Sequence, residues 1–177
     1  MTVHRFTFLP QVAARGRLVV TEGVIEATAR MLQSFHDESI PHEGLVYWAG
    51  RIVRGSSYVL SAIVPECDHG PGRVMADERS IGEVARQARA MQLALVAQVH
   101  SHPDDDTRHS DGDDQLILMP FEGMFSLVIG MYGAGGMTPE DGAGLHQFQD
   151  GRWVRVSPTS DVLVVVPSTK DLRHERW

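Results

Sequence analysis

ALVAQVHSHPDDDTRHSDGDD, residues 94–114, decides how the rest of the chain is read. Its second part, residues 99–114, holds three histidines and six aspartates. ALVAQVHSH reads as a buried strand. Side chains alternate along a strand, so His100 and His102 point the same way and Ser101 points away. Two imidazoles on one face are what a tetrahedral metal takes from its first two ligands. Pro103 ends the strand, because it has no N–H to give to a ladder. Ser110-Asp111-Gly112-Asp113 then resembles a helix start, with serine at the cap and an acid three residues on, ahead of the apolar run LILMPF. Asp113, in the first turn, would complete a His-His-Asp set. With a water as fourth ligand, that set is the open arrangement of a catalytic zinc site; a structural site would be closed.

The surrounding chain alternates strands and helices. TEGVIEATARMLQSFH (21–36) sets Val24, Thr28, Met31 and Phe35 on one stripe, and Thr21 suits its N-cap. LVYWAG (45–50) and SSYVLSAIVP (56–65) read as an antiparallel pair, with Tyr47 and Trp48 as core residues. Residues 66–78 read as an irregular loop. Ser80 and Glu83 fit a capping box for a helix over 81–94. FSLVIGMYG (125–133) reads as a strand and GAGGMTPEDGAG (133–144) as a loop. LHQFQ and RWVRV flank Asp150-Gly151 as a hairpin, and VLVVVP (162–167) is a last strand. FTFLP and RLVV near the start also read as strand material. The order β, α, β, β, α, β, α, β, β, β predicts one α+β domain over 1–177, a mixed curved sheet flanked by helices.

The 177 residues suit a single domain, and 42 % hydrophobic with 22 % charged residues fits a globular chain. A chain of this length buries about 70 % of its unfolded surface and needs no staple. Cys67 is the sole cysteine, which excludes an intrachain disulfide or a cysteine zinc knuckle and points to a reducing, cytoplasmic setting. No apolar run reaches the roughly 18 residues of a membrane span. The absence of acid before Glu22 could mark a transit peptide, but the strand-like segments and lack of serine argue against one. The net charge of −7 excludes nucleic acid as the expected partner.

The central string resembles the signature of the JAMM (JAB/MPN, Mov34) zinc metalloproteases. That signature is His-x-His-Pro, six residues, then Ser-x-x-Asp, with a glutamate well upstream. Here it is His100-Ser101-His102-Pro103, six residues, and Ser110-Asp111-Gly112-Asp113. The upstream glutamate is Glu43 in HEGLVYWAG. The resemblance runs over roughly residues 18–166 and implies a role for each residue. His100, His102 and Asp113 would hold one Zn2+ and its bound water. Glu43 would act beside that water as general base and then hand the proton to the leaving amine. Ser110 would stabilise the oxyanion, a role that competes with capping.

Other polar residues have plainer readings. His42 and His109 are expected as exposed loop residues. Asp104, Asp105, Asp106, Asp111 and Asp114 are expected to be solvated, since the ligand alternation and closing glutamate of a calcium loop are missing. Cys67-Asp68-His69 is a poor thiol–imidazole pair, being adjacent positions in a Gly/Pro loop. As a compact chain resembling stand-alone bacterial members of the family, the protein is expected to cleave at the C-terminus of a ubiquitin-like protein or its conjugate. Release of a product from a sulfur-carrier protein, or a non-catalytic scaffold, are the alternatives. Oligomeric state is not legible.

Overall fold

The computed structural model describes residues 11–37, 39–117, 120–158 and 161–168. In chain order its strands and helices are β1 (Gln11–Val12), β2 (Leu18–Thr21), α1 (Glu22–Gln33), β3 (His36–Asp37), β4 (Ile40–Pro41), β5 (Leu45–Val53), β6 (Ser56–Ile63), β7 (Asp68–Gly70), β8 (Arg73–Met75), α2 (Glu78–Ala90), β9 (Ala94–Ser101), β10 (Phe125–Ile129), β11 (Gly144–Gln149), β12 (Arg152–Val156) and β13 (Leu163–Val166). One mixed sheet runs β1-β12-β11-β10-β9-β5-β6-β2-β13, and β3-β4 and β7-β8 are two small ribbons. This is the expected α+β architecture.

The sheet has to curl. Arg15 N–H donates to Gln147 Oε1 on β11 (2.8 Å), while the carbonyl of Arg17 accepts from Ser57 N–H on β6 (2.7 Å). In a flat sheet β11 and β6 stand four strand spacings apart, about 19 Å. Two residues of chain reach only about 7 Å. The sheet bends around until both strands meet the same short segment.

Strand β5 is buried on both faces, which is why LVYWAG is a nearly continuous apolar run. Val46 and Trp48 face the cluster that holds Leu18, Leu32, Val99, Phe125 and Leu127, under α1. Leu45 and Tyr47 face a second cluster with Val84, Leu116, Met124 and Trp153, under α2. Each large side chain fully removed from water contributes about 1.5–3 kcal/mol. Thr21 does cap α1, accepting from Val24 N–H. Thr28, fully buried, donates to the Val24 carbonyl and accepts from Trp48 Nε1–H at 2.8 Å.

Four expectations are corrected. Helix α2 starts earlier than 81, because Asp77 is its cap and accepts from Ser80 N–H; Ser80 lies inside the first turn. The stretch 66–78 contains the β7-β8 ribbon. The helix expected after Ser110 is a three-residue 3-10 turn, Asp113–Gln115. Pro120 bars an α-helix from running on through the apolar stretch, since its ring would clash with the carbonyl of Leu116, four residues back. That carbonyl instead accepts from Tyr47 O–H at 2.6 Å. The loop over 133–144 holds a further 3-10 turn, Pro139–Asp141. FTFLP lies outside the described residues.

Candidate metal centre

His100 lies near the end of β9, opposite Leu45 of β5 in an antiparallel pair. Continuing that register by two residues sets Glu43 across from His102. The intervening pair is tied twice, by Ser101 N–H to the Gly44 carbonyl (3.0 Å) and by Gly44 N–H to Ser101 Oγ (2.8 Å). Ser101 thus points away from the histidines, as strand alternation requires. Glu43 N–H donates to the carbonyl of Gly70 in the β7-β8 ribbon (2.9 Å), and the carboxylate's charge reaches His102. Strands β9 and β10 are parallel neighbours, so the chain from 102 to 124 crosses over the sheet. That crossover brings Asp113 back to the histidines.

The donor atoms of the three side chains converge, with the Asp113 carboxylate turning one oxygen to each imidazole. His100 Nε2 to His102 Nε2 is 3.2 Å, His102 Nε2 to Asp113 Oδ2 is 3.2 Å, and His100 Nε2 to Asp113 Oδ1 is 3.3 Å. Ligands about 2.0–2.1 Å from a tetrahedral zinc are about 3.3–3.4 Å from one another. All three residues are buried, and they form the group among the described residues whose donor atoms converge on one point.

The proton inventory also fits a cation. His102 Nδ1–H donates to the Asp106 carbonyl at 2.6 Å, which leaves a lone pair on Nε2. That lone pair meets a carboxylate, which only accepts. A proton or a metal has to lie between them. Burial alone would lower the His102 pKa, but Asp113, the Asp106 carbonyl and Glu43 outweigh it and raise the pKa. Burial lowers the His100 pKa against the pull of Asp113. For Asp113 itself, burial works upward, yet the two imidazoles hold its carboxyl well below the usual carboxylate range. Asp113 is therefore ionised across the neutral range.

Ser110 caps in both directions. Its N–H donates to Asp113 Oδ2 at 2.6 Å, and its Oγ accepts from Asp113 N–H at 3.3 Å. The hydroxyl proton is not consumed by either bond, so capping and donation to a substrate oxygen are compatible. The structure thus brings together His100, His102, Asp113 and Ser110, with Glu43 facing His102 from the neighbouring strand.

Two histidines expected in solvent are buried. His42 shares a hydrogen bond with His69, Nδ1 to Nδ1 at 2.8 Å, which ties β7-β8 to the segment carrying Glu43. His109 is fully buried and bonded to Asp114. Asp114 and Asp106 are likewise engaged, Asp106 with Arg108, while Asp104, Asp105 and Asp111 are exposed. His69 pairs with His42 rather than Cys67, whose thiol is pushed up to about 11 by burial and then by Asp68. None of these placements has a sequence signal, because loop residues show no periodicity. Tyr132, another residue the sequence does not mark, donates its N–H to the His102 carbonyl (2.8 Å) and its O–H to the Pro71 carbonyl (3.0 Å). It does so from a left-handed backbone at φ 54°, as does Met131 before it. No described helix is long and apolar enough to cross a membrane.

A family model described as "Prokaryotic homologs of the JAB domain" matches residues 26–140, a span that holds Glu43, His100, His102 and Asp113. Two solved structures, from Desulfitobacterium hafniense and Salinibacter ruber, share the fold at low identity. A protein from Desulfitobacterium hafniense is 16 % identical with TM-score 0.60, covering 89 % of this chain and 97 % of its own. One from Salinibacter ruber is 16 % identical with TM-score 0.55, over 84 % of this chain and 91 % of its own. A JAB1/MPN domain protein from Archaeoglobus fulgidus is 15 % identical over 84 % of this chain and 96 % of its own, with TM-score 0.46. No curated protein matches.

Proposed function

The chain belongs to the prokaryotic JAB-domain family, and from that premise we propose that it is a zinc-dependent peptidase or isopeptidase acting at the C-terminus of a ubiquitin-like protein. The observation that carries the reading is the convergence of His100, His102 and Asp113, whose donor atoms lie 3.2–3.3 Å apart, faced by Glu43. These three residues would hold a zinc ion, which would supply a Lewis acid able to lower the pKa of a water to about 7.

Glu43 is nine-tenths buried and stands opposite His102. From there its carboxylate takes a proton from the attacking water and returns it to the amine as the C–N bond breaks. Ser110 keeps its hydroxyl proton available and donates it to the carbonyl oxygen as negative charge develops there. His102, anchored by Asp106, keeps its ring fixed throughout.

The test is cleavage of a ubiquitin-like protein carrying a C-terminal extension, together with metal analysis. Wild type should hold zinc near one equivalent and cleave. Glu43→Gln should keep the metal and lose cleavage, and His100→Ala should lose both. A metal-free wild type, or full cleavage by Glu43→Gln, would overturn the reading.

A further inference from the structure

Behind His100 lies a polar cluster that the hydrolytic reading does not use. Gln98, Ser126 and His146 are register partners across β9, β10 and β11, so they form one row on the face that carries His100. His109, from the crossover, covers this row. Its ring stacks on His146 at 4.0 Å and lies 5.3 Å from Trp153 and 5.8 Å from His100.

The hydrogen bonds form a continuous chain. Gln98 Nε2–H donates to Ser126 Oγ at 3.0 Å. With its oxygen so engaged, Ser126 turns its own O–H to His109 Nε2 at 2.9 Å. His109 Nδ1–H then donates to Asp114 Oδ1 at 2.9 Å. Carboxylate, imidazole and hydroxyl follow the order of a nucleophilic triad. Here, however, Ser126 and His109 are both fully buried, and Ser126 sits in mid-strand. No substrate reaches its oxygen, so the chain of bonds serves to hold rather than to react.

What it holds is the metal centre. His109 and Asp114 bracket Ser110 and Asp113 in the crossover, and Ser126 and Gln98 belong to the strands beneath. His102 has the Asp106 carbonyl to set its ring, whereas His100 Nδ1 finds no partner among the described residues. The rings beside His100 are those of His102, at 5.0 Å between centroids, and His109, at 5.8 Å.

We propose that Asp114, His109, Ser126 and Gln98 form a positioning brace that fixes the Asp113 segment and the His100 ring at metal-binding separation. The inference rests on the reading of His100, His102 and Asp113 as metal ligands. Its residues touch neither the metal nor the substrate.

The test compares the full-length protein with Asp114→Ala, Asp114→Asn and Ser126→Ala. It reads zinc affinity by chelator competition and the visible absorption of the cobalt-loaded form. Asp114 is about one-third exposed, so Asp114→Ala leaves no closed cavity and keeps the test open even where Ser126→Ala fails to fold. Asp114→Ala and Ser126→Ala should weaken zinc about tenfold or more and shift the cobalt bands. Asp114→Asn still accepts from His109 Nδ1–H and should stay close to wild type, which a loss of general stability would not produce. Wild-type affinity and superimposable cobalt spectra in folded Asp114→Ala overturn the brace alone. Failure of wild type itself to bind either metal overturns the ligand reading, and the brace with it.

Discussion

Gly44 offers the most direct test of how the fold positions Glu43. It lies between Glu43 and Leu45, and both its N–H and its carbonyl are held by Ser101. A Cβ at this position would lie 2.6 Å from Cδ2 of Phe35, 3.0 Å from its Cγ and 3.1 Å from the Leu32 carbonyl. Ordinary contact begins at about 3.4 Å, so something must move by about 0.8 Å. Phe35 is only 7 % exposed and has little room to retreat. Overpacking of this kind costs about 1–3 kcal/mol, which in a chain of this size lowers Tm by about 2–4 °C per kcal/mol. If residue 44 yields instead, Glu43 moves with it, and a displacement approaching 1 Å costs up to about a hundredfold in rate. Gly44→Ala should therefore lower kcat by roughly tenfold to a hundredfold while zinc content stays at the wild-type level, because no ligand lies on this strand. Phe35→Leu in the same chain should recover part of the loss, since the ring is the obstacle; a double-mutant cycle measures that coupling. Cleavage by Gly44→Ala at the wild-type rate would refute the argument. So would a loss of kcat matched by an equal loss of zinc.

Other outcomes follow from the same geometry. Zinc added at a hundred times its Kd should stabilise the folded chain by about 2.7 kcal/mol, roughly 5–10 °C in a melting experiment, and His102→Ala should abolish the response. Thr28→Val keeps the shape but strands the buried Trp48 Nε1–H, and should cost about 1–3 kcal/mol by denaturant titration, whereas Thr28→Ser should not. His146 is fully buried, and burial first, then His109, Arg155 and His100 against the opposing Asp113, holds its pKa well below 6.5. Above about pH 6.5 that costs nothing; as pH falls below 6.5 the unfolded chain takes up a proton that the folded one refuses. Stability attributable to His146 should then decline by about 1.4 kcal/mol per pH unit, and His146→Leu should flatten the slope of stability against pH between 6.5 and 5.

Much of the fold is legible in the chain, for physical reasons that also mark where legibility stops. The doubly buried β5 and the cap at Thr21 are written in composition and period. The His100–His102 pair needs only the alternation of a strand and its end at Pro103. Asp113 follows from the capping spacing that starts at Ser110, whereas the roles of Ser110 and Glu43 come only from the family resemblance. The crossover is different: its apolar run suggests a helix, but Pro120 and the Tyr47 hydroxyl, 69 positions from the carbonyl it binds, override local preference. The burial of His109 is equally invisible, since it depends on Ser126 and His146 arriving from strands made later in the chain. The ribbon at 68–75 and the His42–His69 bond arise from pairing that no local pattern announces.

The parallel pairing of β9 with β10 has a consequence for the order in which the protein is made. His100 and His102 leave the ribosome well before the strand that supports their partner. Asp113 emerges soon after them, but among the described residues its segment has a single 3-10 turn of its own, and it docks on β5, β10, β11 and β12 together. The site is therefore complete only when the chain has been synthesised through β12. Until then a nascent chain displays two histidines without their carboxylate in place, and metal capture by this site would be a late event that reports completion of the central sheet.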